Sequence, residues 1–115
     1  MNIEEIREYC LAKKDAEESF PFDNDTLVFK AGGKMFALLS LENATSINLK
    51  CDPEHAVELR ERYAEILPGF HMNKKHWNTV VYNGSLPDDL IRSLIDESYD
   101  LVVARLSKKQ RELLF

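Results

Sequence analysis

Thr26-Leu27-Val28-Phe29-Lys30-Ala31-Gly32-Gly33-Lys34-Met35-Phe36-Ala37-Leu38-Leu39 decides the fold. Two runs of strand-forming side chains flank a pair of glycines. A two-residue turn between twisted strands needs positive φ, which glycine adopts without a Cβ clash. The stretch therefore predicts a β-hairpin with strands at 26–31 and 34–39. Ser46-Ile47-Asn48-Leu49-Lys50 alternates apolar and polar residues and predicts a third, half-buried strand. Asp52-Pro53 then opens a helix, with Asp as the cap and Pro in the first helical position. Ala56, Val57, Leu59, Tyr63 and Ile66 carry its apolar face to a stop at Pro68-Gly69. A second hairpin is expected beyond it. Phe70-His71-Met72 enters, Asn73-Lys74-Lys75-His76 turns and Trp77-Asn78-Thr79-Val80-Val81-Tyr82 returns.

Helices flank these strands. Asn2 and Glu5 have the spacing of a capping box, and Ile3, Ile6, Cys10 and Leu11 recur at helical spacing. The acidic stretch from Asp15 to Asp25 reads as a loop pinned to the core by Phe20 and Phe22. Ser85 or Pro87 opens the longest helix, with Leu90, Ile91, Leu94, Ile95, Tyr99, Val102, Val103 and Leu106 on one broad face. Ser107 with Gln110 forms another capping box, so a short basic helix is expected to follow. The predicted order is α-βββ-α-ββ-α. It implies an α+β two-layer sandwich, an antiparallel sheet with helices packed on one face.

A length of 115 residues fits a single domain spanning 1–115, and 44% hydrophobic with 30% charged residues is a globular composition. No apolar run approaches the roughly 20 residues that cross a bilayer. No basic segment followed by an apolar one opens the chain, so a cytoplasmic location and no membrane partner are expected. Cys10 and Cys51 lack metal-ligand spacing and are read as reduced, buried small hydrophobes.

The formal charge of −5 argues against nucleic acid only if it is spread evenly. It is not. Residues 1–25 hold eight acids and three bases, whereas residues 66–87 hold two bases and no acid. Residues 26–51 stand at +2 and residues 101–115 at +3, so both hairpins and the C-terminal segment are basic. Local potential governs phosphate binding, because charges beyond about 10 Å are screened. Lys30 and Lys34 flank the glycine turn, and Lys74, Lys75, His76 and Trp77 combine charge with an aromatic plane. Lys108 and Lys109 stand at the start of the last helix, where free N–H groups also favour anions.

No phosphate loop, dinucleotide fingerprint, zinc-protease motif or nucleophile elbow occurs, and no nucleophile–base pair is visible. The expectation is a non-enzymatic protein without cofactor. His55, His71 and His76 are the histidines; His71 and His76 flank a turn, but no Cys or paired carboxylate joins them in sequence, so no metal site is assigned. The acidic first helix, through Glu4 and Glu8, offers an alternative role as a protein-interaction module. Glu17, Glu18, Asp23 and Asp25 offer a further one in loose metal handling.

The hairpin stretch, Ile47-Asn48-Leu49-Lys50-Cys51-Asp52-Pro53-Glu54, Pro68-Gly69-Phe70-His71-Met72-Asn73-Lys74-Lys75-His76-Trp77-Asn78-Thr79-Val80 and Ser98-Tyr99-Asp100-Leu101-Val102-Val103 together resemble the MmcQ/YjbR family of small bacterial proteins. The resemblance extends over nearly the whole chain. It implies a CyaY-like fold and DNA binding through a "double wing" of two projecting hairpins. Their counterparts here are the hairpins centred on Gly32-Gly33 and on Lys74-Lys75. DNA bound weakly and with low sequence specificity is the partner so implied, and a monomer is expected.

Overall fold

The computed structural model describes residues 1–114. It orders the chain as α1 (Ile3–Leu11), β1 (Ala16–Ser19), β2 (Thr26–Ala31), β3 (Lys34–Ser40), β4 (Ser46–Lys50), α2 (Pro53–Arg62), β5 (Ile66–Pro68), β6 (Trp77–Val81), α3 (Asp88–Ala104) and α4 (Lys108–Leu114). The strands form one antiparallel sheet in the order β1-β2-β3-β4-β6-β5. The α+β class is as expected, with one strand more than the sequence suggested. No helix is long and apolar enough to cross a membrane among the described residues.

Local chemistry sets the element ends. Asn2 and Glu5 exchange side-chain and backbone hydrogen bonds at the start of α1, and Asp52 caps α2 through the His55 N–H. Ser107 and Gln110 do the same at α4, with bonds of 3.1 and 3.2 Å. Gly32 and Gly33 take φ of +57° and +80° in the first hairpin turn, the left-handed conformation expected of them.

Four local expectations are corrected. The acidic loop contains β1, an edge strand whose residues Ala16 to Ser19 pair with Ala31 to Val28. Its polar composition hid it, yet an edge strand needs only its backbone to pair, and charged side chains protect it. Phe20 and Phe22 do not pin the loop, being 45% and 64% exposed. Helix α2 ends at Arg62, because Tyr63 is already extended, and Ile66 enters β5 opposite Val80. The entering strand of the second hairpin is therefore 66–68, and Phe70-His71 turns instead, with His71 at φ +60°. Gly69 sits so close to Trp77 that a Cβ there would lie 2.7 Å from the Trp77 Cβ.

All the buried helix faces lie on one side of the sheet. Ile6, Cys10, Ala56, Leu59, Ile91, Ile95 and Val102 pack with Leu27, Phe29, Ala37, Leu39, Ile47, Leu49 and Val80 in one core. Val57 falls outside it and is exposed. Phe36 meets Tyr99 edge-on, ring centroids 5.4 Å apart. The opposite face has no helix. There a smaller cluster of Val28, Leu38 and Trp77, flanked by Met35 and Met72, covers part of the sheet.

Strand direction then places the two hairpin tips. In the antiparallel order, β2, β4 and β5 run towards one end of the sheet, and β3 and β6 run away from it. The Gly32-Gly33 turn, the end of β4 and the 69–76 connection thus share that end. Helix α3 delivers Arg105 and Leu106 to it, and the Leu106 methyls lie against Gly32.

Candidate nucleic-acid interface

Lys34 opens β3 and Lys50 closes β4, on neighbouring strands at the hairpin end. Burial pushes the Lys50 ammonium below the usual lysine pKa, and the charges of Arg105 and Lys34 push it further. Lys50 is therefore repelled by Lys34 and by Arg105, cations of two other parts of the chain. None of them has an ion-pair partner among the described residues. Such a cluster costs the fold energy unless an anion, or water and salt, screens it.

The other residues singled out in sequence have mixed surroundings. Lys30 is half-buried on β2 directly opposite Glu17, and shares a shallow groove with Asp15 and Gln110. Lys74 and Lys75 are exposed at the second tip, but the Lys74 ammonium donates to the Gly69 carbonyl at 3.0 Å. Arg60 of α2 donates to the Lys74 carbonyl at 2.9 Å and ties this tip to the helix. Lys75 borders an open groove that Glu54 and Glu58 of α2 also line. His76 is half-buried, and its carbonyl accepts the Cys51 N–H at 2.8 Å. Lys108 and Lys109 are exposed in the first turn of α4, whose Gln110, Leu113 and Leu114 border the Gly32-Gly33 turn.

Trp77 is not an open stacking plane. It is 8% exposed and packs with Val28 and Leu38 on the helix-free face. The most exposed aromatics among the described residues are Phe22 and Phe70, at 64% and 67%. Both border a groove of about 520 Å³ across the helix-free face, with Met35, Leu38 and Met72 as its apolar surfaces. Asn48 and Thr79 add a polar strip, fixed by a 2.5 Å bond from the Thr79 hydroxyl to Asn48 Oδ1. Asn48 Nδ2 donates in turn to the Phe70 carbonyl at 3.2 Å, holding that turn beside the groove.

The acidic residues are largely spent on structure. Arg7 pairs with Glu18, and Glu5 completes the α1 cap. Asp23 accepts the Asp25 and Thr26 N–H groups, and Asp25 accepts the Ser40 hydroxyl and the Glu42 N–H. Glu4 and Glu8 remain exposed on α1.

The YjbR family model matches residues 11–101. The chain belongs to the YjbR family. It is 40% identical over 115 residues to the protein YjbR of Escherichia coli (strain K12), covering 99% of this chain and 98% of that one. It is 42% identical over 97 residues to YbdF of Escherichia coli O157:H7, covering 84% and 80% of the two chains. Among solved structures, the Deinococcus radiodurans protein DR2400, a DUF419 domain, superposes with a TM-score of 0.91 at 39% identity. That match covers 97% of this chain and 86% of the other. A Pseudomonas syringae protein superposes at 0.76 with 32% identity, over 89% and 99% of the two chains. The two solved structures share the sheet-and-helix fold over the parts they cover.

Within this YjbR-family chain, sequence reasoning missed Lys50, Arg105 and the two groove phenylalanines as surface features. Lys50 had a signal, since strand alternation turns it away from Leu49 and the core. Arg105 had none, because only the packing of α3 across β3 and β4 brings it to Lys50.

Proposed function

We propose that the protein is a non-enzymatic DNA-binding protein of low sequence specificity, engaging phosphates at the hairpin end of its sheet. The observation that carries this reading is the unpaired cluster of Lys34, Lys50 and Arg105, with Lys74, Lys75, Lys108 and Lys109 as neighbouring exposed cations at or near the same end. Phosphate oxygens are the ligand that relieves mutual repulsion among fixed cations, and they carry no sequence information. The acids on α1 and the outer helix faces favour weak, salt-sensitive association over tight binding.

Fluorescence anisotropy with a labelled duplex, at two or more salt concentrations, tests it. Each phosphate neutralised contributes a slope of about −0.9 in log K against log salt. Lys34→Glu with Lys50→Glu is expected to abolish binding, and Lys74→Glu with Lys75→Glu to weaken it. Binding indifferent to salt, or unchanged in the first double variant, refutes the reading.

The groove supports a second reading, in which unpaired bases lie on the helix-free face. Phe22 and Phe70 supply the aromatic planes that buried Trp77 does not, and stacking is worth about 1–3 kcal/mol per base. Phe70→Ala should then weaken a single-stranded oligonucleotide and leave the duplex unaffected. Equal effects on both, or none on either, remove the groove from the interface.

A further inference from the structure

Cys51, His55 and Glu97 come from three elements. Cys51 directly follows β4, His55 lies in the first turn of α2 and Glu97 sits midway along α3. They meet because Asp52-Pro53 folds the chain back at the strand end while α3 packs across β4. Cys51 Sγ is 3.7 Å from His55 Nδ1 and donates to Glu97 Oε2 at 3.1 Å. His55 Nδ1 and Glu97 Oε1 are 2.6 Å apart. One ligand atom from each lies within 4.8 Å of the others, the one such group of three among the described residues.

From this geometry we propose that Cys51, His55 and Glu97 form a binding site for a single zinc-type divalent ion. Thiolate, imidazole and carboxylate together suit zinc, whose bonds to them run about 2.0–2.3 Å. A tetrahedral ion with such bonds holds its ligand atoms roughly 3.3–3.6 Å apart. The sulfur–nitrogen distance is already close to that. The His55–Glu97 contact must open by about 0.7 Å and the Cys51–Glu97 contact by up to about 0.5 Å, which side-chain rotation at Glu97 provides. Binding exchanges the thiol proton, released to water, for a sulfur–metal bond. The proton shared by His55 Nδ1 and Glu97 Oε1 leaves as well, to His55 Nε2 or to water. Glu97 gives up its contacts to the thiol and the imidazole, while Oε2 still faces the Asp52 N–H at 3.2 Å. His55 and Glu97 are 41% and 26% exposed at their side chains, so an ion has a path from solvent and a water can fill the fourth position.

A hydrogen-bonded trio, with the thiol and the imidazole both on Glu97, is the metal-free account of the same contacts, and the metal titration separates the two. Cys10 is the internal contrast. It is also buried, yet no histidine or carboxylate group of this kind forms around it. Cys51 directly follows Lys50 in the chain, but the site shares no residue with the cation cluster and its assignment does not rest on DNA binding.

Titration of the reduced full chain with Co²⁺ tests the assignment. The expected result is a thiolate-to-cobalt charge-transfer band with the strong visible bands of a tetrahedral ion, saturating at one equivalent and bleached by one equivalent of Zn²⁺. Cys51→Ser should abolish the charge-transfer band, and Cys10→Ala should keep it. His55→Ala and Glu97→Gln should each weaken binding by about tenfold or more. His55 is half exposed on a helix, so His55→Ala keeps the test decisive if Cys51→Ser fails to fold. No charge-transfer band, a band that survives Cys51→Ser, or an affinity unchanged by His55→Ala overturns the proposal.

Discussion

The Ser98 hydroxyl of α3 donates to the Phe36 carbonyl at 2.5 Å, inside the edge of the β3–β4 pairing. The same oxygen accepts the Lys50 N–H at 2.9 Å. The regular β3–β4 register ends at Ala37 opposite Leu49, and the β2–β3 register slips between Phe29 and Lys30, leaving Phe36 without a pairing partner. A helix side chain thus spans the gap, using its one proton and one lone pair. It also fixes where Lys50, the central cation, leaves the sheet.

Ser98→Ala strands a buried carbonyl and an N–H together, and should cost about 1–3 kcal/mol. Ser93→Ala, on the exposed side of the same helix, should stay within about 0.5 kcal/mol of the parent. Denaturant unfolding of the two variants makes the comparison. A Ser98→Ala midpoint equal to the parent's would show that the hydroxyl does not hold the strands.

Tyr82 is buried and its hydroxyl has no hydrogen-bond partner among the described residues. Burial raises its pKa accordingly. Tyr82→Phe removes an unsatisfied group and keeps the ring, so stability should hold or rise by up to about 1 kcal/mol. A rise in denaturant midpoint at constant m-value is the expected signature. A clear loss would mean that the hydroxyl is satisfied in solution.

Gly33 faces open space, whereas a Cβ on Gly32 would lie 2.7 Å from Leu106 Cδ2. Both alanine substitutions carry the strain of positive φ, of order 1 kcal/mol or more. Gly32→Ala must in addition displace Leu106, and with it the start of the C-terminal basic segment. Its melting temperature should fall further than that of Gly33→Ala, with the difference shrinking in a Leu106→Ala background. Equal losses in both backgrounds would show that the C-terminal segment is not seated on the turn.

Acid sensitivity should trace to the loop before β2. The N–H groups of Thr26 and Asp25 hold the Asp23 carboxyl below its usual pKa, and Arg7 does the same for Glu18. A depressed carboxyl contributes stability that is complete above its unfolded pKa and is lost as pH falls through the folded value. The loss should therefore begin as pH falls into the ordinary carboxylate range and be complete only below the depressed values. Asp23→Asn keeps the acceptor without the charge and should flatten that limb of melting temperature against pH. An unchanged acid limb would exclude this loop as its origin.

Lys50 has the opposite sign. A lysine with lowered pKa weakens the fold wherever it is protonated, and that penalty is relieved as pH rises from the depressed value towards the ordinary 10.5. Lys50→Gln should therefore hold or raise the melting temperature at neutral pH. The same change should lower duplex affinity and make the salt slope shallower by about 0.9. Loss of stability together with unchanged affinity would reverse the role assigned to this residue.

The glycine turn, the capping pairs at Asn2, Asp52 and Ser107, and the apolar stripe of α3 were legible in the sequence because each is a local rule. Strand β1 was not, since Ala16-Glu17-Glu18-Ser19 has neither alternation nor strand formers and exists through pairing with β2. The end of α2 was misplaced for a related reason. Tyr63 and Ile66 continue the helical spacing, but Ile66 gains more by burial in β5 opposite Val80. Trp77 was read from its place at a hairpin tip, and the tertiary fold curls Met72 and the sheet face over it.

The sequence by itself determined the fold class, the family and the segregation of positive charge into the hairpins and the C-terminal segment, because periodicity, turn chemistry and charge counts act over a few residues. Tertiary structure alone decided which charges and ligands meet. Lys34, Lys50 and Arg105, and likewise Cys51, His55 and Glu97, lie far apart in the chain or on different elements. Only antiparallel strand order and the packing of α3 bring their side chains to one end of the sheet.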